Sequence, residues 1–212
     1  MVTYPRSTLF QMRTAIRHLK TSDPVLGALI ERVGPYRIEF REPSFETLVR
    51  SIVFQQLSGK VARVIYGRLA GALPDGRVTP EGVLSLRFDR MRRLGLSRQK
   101  TVYIRDLARH TVKGKVTFER LPDCPDEEVI THLTAVKGIG EWTAQMFLIF
   151  ALRRHNVLPT GDLGIRSAIK KAYGLAELPK PHEVEELARG WHPYCTVASW
   201  YLWRSLDGQA GI

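Results

Sequence analysis

The sequence predicts an all-α protein of roughly ten helices, arranged as two helical lobes. Apolar residues recur at helical spacing through most of the chain. Tyr36–Phe40 is the one stretch that alternates like a strand, and it is short. The chain has neither a run of β-hairpins nor the alternation of strands and helices that a βαβ fold requires. Short connections between the predicted helices favour two lobes over domains joined by a flexible linker.

Helix boundaries in the first half of the chain are marked by caps and by proline at the first helical position. The predicted helices are one after Ser22-Asp23-Pro24 with an apolar stripe at Leu26, Leu29, Ile30 and Val33; one opening at Pro43-Ser44 and broken at Ser58-Gly59; one through Val61–Leu73; a short one from Thr79; and one over Ser97–Val112.

The second half continues the helical pattern. The predicted helices are Asp126–Leu133, Glu141–Leu152, Leu163–Tyr173, His182–Ala188 and Tyr194–Leu206.

The charge balance favours a polyanionic partner. The 212 residues carry a net charge of +11, and the isoelectric point is near 10.0. Such an excess of positive charge attracts nucleic acid, which is the leading partner class. The alternative at this point is a basic protein without such a partner.

The cysteine and hydropathy patterns exclude several classes. Cys124 and Cys195 are too few for a four-cysteine zinc or iron–sulfur site, and we expect both to stay reduced. The chain has no apolar run of membrane-spanning length, and Met1–Arg6 lacks the apolar stretch of a signal peptide. We therefore expect no membrane partner and a cytoplasmic, nucleoid-associated protein, or a nuclear one in a cell with a nucleus.

The most informative stretch is Leu133–Ala144, where one helix ends, a tight Gly138-Ile139-Gly140 turn follows and a second helix begins. Glycines let a large anion approach the main chain, and the first amides of a helix favour negative charge. Ile139 is predicted to fill the apolar gap between the two helices. The turn therefore predicts a phosphate clamp, with a plain connection in a helical bundle as the alternative.

Three segments, taken together, resemble the helix-hairpin-helix DNA glycosylases, and most closely the 3-methyladenine DNA glycosylase II (AlkA-like) subgroup. The resemblance covers roughly residues 40 to 206. The segments are Phe45–Ser58, which is similar to the family's first helix and wedge loop; Leu94–Lys100; and Leu133–Phe147 followed by Leu158–Arg166, which carries the hairpin, a helix and a loop ending in Asp162.

The resemblance implies one glycosylase unit over residues 1–212, made of two helical lobes with the active site in the cleft between them. One lobe spans about 40–155 and holds the wedge loop and the hairpin; the other combines 1–40 with 156–212. Two features depart from the family pattern. Lys137 stands where many relatives carry proline, and the chain begins too near the first segment to hold the N-terminal sheet domain of larger AlkA enzymes.

The resemblance assigns catalysis to Asp162. Its position before a helix also predicts an N-cap, and capping and the helix dipole both favour the carboxylate form. Breaking an N-glycosidic bond leaves positive charge on the sugar, and a fixed carboxylate stabilises that charge. In bifunctional relatives a lysine occupies the position of Trp142. Tryptophan cannot form a Schiff base, which implies water as the nucleophile and no lyase step.

The base pocket and wedge are also assigned by resemblance. Trp142 and Trp203 match pocket tryptophans, whose indole faces attract a positively charged alkylated purine, and Met146 lies one turn beyond Trp142. The alternative for both tryptophans is a place in the core, which is favoured for Trp191 and Trp200. Gln56, or next to it Leu57, is expected to fill the gap left by the flipped base.

Contacts to DNA are predicted around the hairpin. The residues expected there are Lys137, Gly138, Ile139, Gly140, Thr143 and Arg166, with Arg98 and Lys100 as weaker candidates. The resemblance implies no required cofactor, but a structural Na⁺ or K⁺ on the backbone carbonyls of Thr134, Val136 and Ile139.

The function implied is a monofunctional DNA glycosylase that flips and hydrolytically excises alkylated purines of the 3-methyladenine and 7-methylguanine type in base excision repair. The expected partner is double-stranded DNA with alkylated bases, bound by a monomer. The alternatives are a helix-hairpin-helix module that binds DNA without catalysis, and a glycosylase for another purine lesion. The sequence leaves the choice among methylated, etheno and deaminated purines open.

Overall fold

The computed structural model describes residues 6–206, with side chains from residue 12 onward. Met1–Pro5, most of the segment searched for a signal peptide, lies outside the described residues. Residues 6–206 form twelve α-helices and three short 3₁₀ turns and contain no strand, which confirms the all-α prediction. None of these helices is both long and apolar enough to cross a lipid bilayer.

The chain divides into two compact units. Within the described residues, the terminal unit comprises 6–39 and 154–206. In it α12 packs against α1, α2 and α10, and nearly all of α12 is buried, as expected of a helix at the centre of a bundle. The helices of the terminal unit are α1 (Arg6–Ser22), α2 (Pro24–Val33), α10 (Leu163–Ala172), α11 (Pro181–Leu187) and α12 (Cys195–Arg204), with a 3₁₀ turn at Ala188–Trp191.

The central unit comprises residues 40–153. Its α7 packs against α3, α5 and α6, while α8 and α9 pack against each other. The helices of the central unit are α3 (Phe45–Phe54), α4 (Gly59–Gly71), α5 (Pro80–Ser85), α6 (Phe88–Arg93), α7 (Arg98–Val112), α8 (Asp126–Thr134) and α9 (Glu141–Phe150), with 3₁₀ turns at Pro74–Gly76 and Leu121–Asp123.

The predicted helix starts carry the expected caps. The Asp23 Oδ1 atom accepts hydrogen bonds from two amides of the first turn of α2, each at 3.0 Å. Ser44 Oγ accepts from the amide of Thr47 at 3.2 Å, and Thr79 Oγ1 accepts from the amide of Gly82 at 3.1 Å. A side-chain acceptor at each start satisfies amides that have no partner within the helix.

Three segments differ from the sequence-based prediction. The helices α1 and α6 were not predicted, because α6 has only six residues and α1 is rich in basic and polar side chains. The strand-like alternation of Tyr36–Phe40 does not produce a strand, since this segment forms no regular element. A strand needs a neighbour to pair with, and residues 6–206 offer none. Its alternation instead reflects burial: Ile38 is 1% exposed, and Tyr36 packs on the ring of Trp200.

Candidate active site

Asp162 caps α10 and lies almost fully buried in the terminal unit. Its Oδ1 atom accepts a hydrogen bond from the amide of Ile165 at 2.8 Å, and its side chain is 9% exposed. The N-cap predicted from the sequence is therefore present. The partial positive charge at the start of α10 therefore lies next to this carboxyl group.

A tryptophan indole orients the same carboxylate. Trp203 Nε1, near the end of α12, donates a hydrogen bond to Asp162 Oδ1 at 2.9 Å. This contact depends on Gly164, because a Cβ atom at that position would lie 3.0 Å from Asp162 Oδ1 and 3.1 Å from the Trp203 ring. Two elements of the terminal unit thus fix the carboxylate, one through a backbone amide and one through an indole. The sequence pointed to Trp203 but not to this contact, and it carried no signal for Gly164.

The four tryptophans fall into two groups. Trp142 at the start of α9 is 50% exposed, and Trp203 is partly exposed. Trp191 and Trp200 are 0% and 6% exposed, so they are core residues, as the alternative interpretation favoured. An exposed indole face is available for stacking, whereas a buried one is not. Met146, one turn after Trp142 in the central unit, is half-buried.

The hairpin joins α8 to α9 in the central unit. Val136 and Ile139 are 1% and 3% exposed, so the turn is anchored by buried apolar side chains. Gly138 has a φ of +83°, in the left-handed region that favours glycine. A Cβ atom there would lie 2.1 Å from the ring of Tyr103 on α7. Glycine is therefore required twice, by the backbone and by the packing of Tyr103.

The amides at the start of α9 follow Gly140, whose position carries no side-chain cap. This arrangement suits an anion, since the first amides of a helix have no partner within it. One hairpin amide is already engaged, because the amide of Lys137 donates to Asp106 Oδ2 at 3.0 Å. The Lys137 side chain is exposed, whereas the side chain of Thr143 is 6% exposed.

The wedge loop, Gln55–Ser58, links α3 to α4 and has the geometry of a type II turn. The amide of Leu57 donates to the carbonyl of Phe54 at 3.3 Å, and Gln55 has φ −52° and ψ 129°. Gln56 follows with a φ of +55°, a position that type II turns usually give to glycine. A non-glycine residue costs about 1–2 kcal/mol there. Gln56 and Leu57, the two predicted wedge residues, are both exposed.

Two of the cationic side chains proposed for phosphate contacts make internal hydrogen bonds. Lys100 Nζ donates to the carbonyls of Val53 and Gln55, at 2.7 Å each. Burial lowers the pKa of the Lys100 ammonium. Arg166 Nε donates to the carbonyl of Pro179 at 2.6 Å. Lys100 thus binds the end of α3, and Arg166 binds a loop of its own unit.

Comparisons with known proteins identify relatives of this chain. The profile of the HhH-GPD superfamily base excision DNA repair proteins matches residues 49–193. The chain is 36% identical to DNA-3-methyladenine glycosylase 1 of Schizosaccharomyces pombe over 194 residues, which is 89% of this chain and 85% of that protein. It is 29% identical to the putative DNA-3-methyladenine glycosylase YfjP of Bacillus subtilis, over 94% of this chain and 72% of that protein.

Solved structures of two DNA glycosylases also resemble this chain. The S. pombe 3-methyladenine DNA glycosylase Mag1 in complex with abasic DNA has a TM-score of 0.81 at 34% identity, covering 92% of this chain and 97% of that one. The DNA-3-methyladenine glycosidase from Bacillus halodurans has a TM-score of 0.83 at 36% identity, covering 92% and 89%. The resemblance noted in the sequence is confirmed, and the chain belongs to the HhH-GPD superfamily of base excision DNA repair proteins.

Proposed function

We propose that this protein is a monofunctional DNA glycosylase that flips alkylated purines out of duplex DNA and hydrolyses their N-glycosidic bonds in base excision repair. The observation that carries the proposal is the carboxylate of Asp162, held at a helix start by an amide and an indole N–H. The names of the relatives support the substrate class, since both sequence relatives are described as 3-methyladenine glycosylases.

The chemistry follows from the charge of Asp162. As the C1′–N bond breaks, its electron pair leaves with the base and positive charge develops on the sugar. A fixed carboxylate stabilises that charge without first having to reorient. The oxygen of water then bonds to C1′ and loses a proton, leaving an abasic site. The hydrogen bonds from Ile165 and Trp203 keep the carboxylate in place through these steps.

Trp142 supports both substrate choice and the absence of a lyase step. Its half-exposed indole can stack on a flipped base, and its electron-rich face favours the positive charge of an alkylated purine. Alkylation also weakens the glycosidic bond, so a permissive pocket can still discriminate. An indole has no amine with which to attack C1′, so the product keeps an intact strand.

The hairpin supplies sequence-independent binding. The uncapped amides at the start of α9 suit one phosphate, and the exposed Lys137 lies beside them. The carbonyls of Thr134, Val136 and Ile139 are oxygen donors that suit Na⁺ or K⁺, and Thr134 ends a helix, where carbonyls lack helical partners. Such an ion would add positive charge next to the phosphate. No cofactor is needed for the hydrolysis.

The experiment is a single-lesion panel. Duplexes carrying 7-methylguanine, ethenoadenine, hypoxanthine or no lesion are incubated with the protein and resolved on gels with and without alkali. We expect breaks at 7-methylguanine only after alkali, and no covalent trapping by borohydride. Breaks without alkali, together with trapping, would overturn the monofunctional assignment. Binding without any excision would favour a module that only binds DNA.

A further inference from the structure

One face of α7 contacts both segments of the central unit that the proposed function places against DNA, the wedge loop and the hairpin. Lys100, Tyr103 and Asp106 follow one another at a spacing of three residues, which places them along one side of the helix. Lys100 binds the end of α3 at the wedge loop, Tyr103 packs on Gly138 and Asp106 accepts from a hairpin amide. The helix is therefore in direct contact with the wedge loop at one end of this face and with the hairpin further along.

Three hydrogen bonds hold the chain immediately before the strained residue of the wedge loop. Before the strained position, Lys100 Nζ donates to the carbonyls of Val53 and Gln55. The side chain of Gln55 contacts the hairpin, where its Nε2 atom donates to the carbonyl of Gly138 at 3.2 Å. Gln56 follows directly, with its positive φ and its exposed side chain. An unfavourable backbone conformation persists only where its surroundings hold it.

The positive charge of Lys100 lies at the carbonyl end of α3. The end of α3 has no basic residue in its last turn, and the partial negative charge of its carbonyls is met by Lys100 from another helix. The lysine gives up hydration to make these bonds, since burial lowers its pKa. A lysine placed for phosphate binding would instead extend into solvent.

We propose that Lys100 and Gln55 are positioning residues that hold Gln56 in the conformation in which it enters the duplex and replaces the flipped base. Neither residue touches the reacting atoms; both act through Gln56. Through α7 and the Gln55–Gly138 hydrogen bond, the wedge loop is fixed relative to the phosphate clamp. This inference rests on the proposed function, because it gives Gln56 a role only in a protein that flips bases.

The test is a mutant cycle with Lys100→Met and Gln56→Ala. Affinity is measured for a duplex with a tetrahydrofuran abasic analogue and for an undamaged duplex, and 2-aminopurine next to the analogue reports insertion. We expect Lys100→Met to reduce the preference for the abasic duplex on the order of tenfold and to weaken the fluorescence change. The double variant should be no worse than Gln56→Ala alone, because both changes remove the same interaction.

Lys113→Met is the matched control, because it makes the same replacement at an exposed lysine that directly follows α7. It should leave the abasic preference and the fluorescence change at wild-type values. Salt dependence separates positioning from phosphate binding, since a lost phosphate contact reduces the slope of log affinity against log salt by about 0.9. We expect Lys100→Met to keep the wild-type slope.

Three results would overturn the inference: a wild-type abasic preference in Lys100→Met, a reduced salt slope, or additive losses in the double variant. If Lys100→Met does not fold, Gln55→Ala takes its place in the same cycle, because it removes only the bond to Gly138. Failure of the proposed function is distinguishable, since the wild-type protein itself would then excise no methylated base.

Discussion

Replacing Asp162 with asparagine separates the charge of this side chain from its role as a helix cap. Asparagine caps a helix about as well as aspartate, and its carbonyl oxygen can still accept from the Ile165 amide and the Trp203 indole. What the variant lacks is the negative charge that we assign to stabilising the sugar cation. The variant therefore tests the chemistry while retaining the local structure.

The expected loss of stability in Asp162→Asn is small, whereas the expected loss of excision rate is large. Loss of the charge at the start of α10 costs about 0.3–1 kcal/mol of stability, and a neutral bond from Trp203 is weaker by about 1 kcal/mol. A total of about 1–2 kcal/mol lowers Tm by about 2–8 °C in a chain of this length. A protein of ordinary stability stays about 99% folded after that loss. The excision rate should fall on the order of 10²-fold, equivalent to about 2.7 kcal/mol of transition-state stabilisation.

The assay is single-turnover excision of 7-methylguanine, with Tm and affinity for abasic DNA measured in parallel. Asp23→Asn is the matched control, because Asp23 also caps a helix of the terminal unit and accepts from an indole, Trp191 Nε1, at 2.8 Å. The Tyr173 hydroxyl donates to it as well, so this control should lose at least as much stability. It should keep the wild-type excision rate. Equal rate losses in the two variants, or wild-type turnover by Asp162→Asn, would refute the reasoning.

Three further predictions concern single positions. Trp203→Phe should lower the excision rate about tenfold, because the catalytic carboxylate loses one of its two hydrogen bonds. Trp191→Phe loses the same kind of bond, to Asp23, and should change Tm alone. Equal excision rates in the two variants would contradict this. Gly138→Ala should lower Tm more than Gly114→Ala, because both glycines have positive φ but only the first would place its Cβ against an aromatic ring. Thermal melts and binding to undamaged DNA check it, and an equal Tm loss in both would argue against the packing. Gln56→Gly should keep or raise Tm, because glycine adopts a positive φ without strain, and it should lower the excision rate. A lower Tm would show that Gln56 is not strained in the wild-type turn.

The helices were predictable from the sequence where local signals coincide. Asp23 and Ser44 are caps followed by apolar residues at helical spacing, and both helices begin where those signals place them. The helix Arg6–Ser22 lacks such a signal, since it has no acidic residue in its first turn. Tyr36–Phe40 shows the converse case, because an alternating pattern can come from packing on other helices without any strand partner.

The candidate site residues could be named from the sequence, whereas their contacts could not. Asp162 was assigned through the resemblance of the hairpin and the following loop to the glycosylase signature, and its position alone predicted only the N-cap. The bond from Trp203 joins positions 41 residues apart in the chain, and no spacing rule connects them. Lys100 is the clearest case, because its sequence context suggested a phosphate contact while its ammonium binds two carbonyls. Only the packing of α7 against α3 brings these groups together.

The central claim is tested most directly by chromatography of the bases released from methylated duplex DNA by the wild-type protein and by Asp162→Asn at equal concentration. The account predicts that the wild-type protein releases 3-methyladenine or 7-methylguanine, and that the variant binds the same DNA but releases neither at a comparable rate. Release at equal rates by both proteins, or by neither, would contradict it.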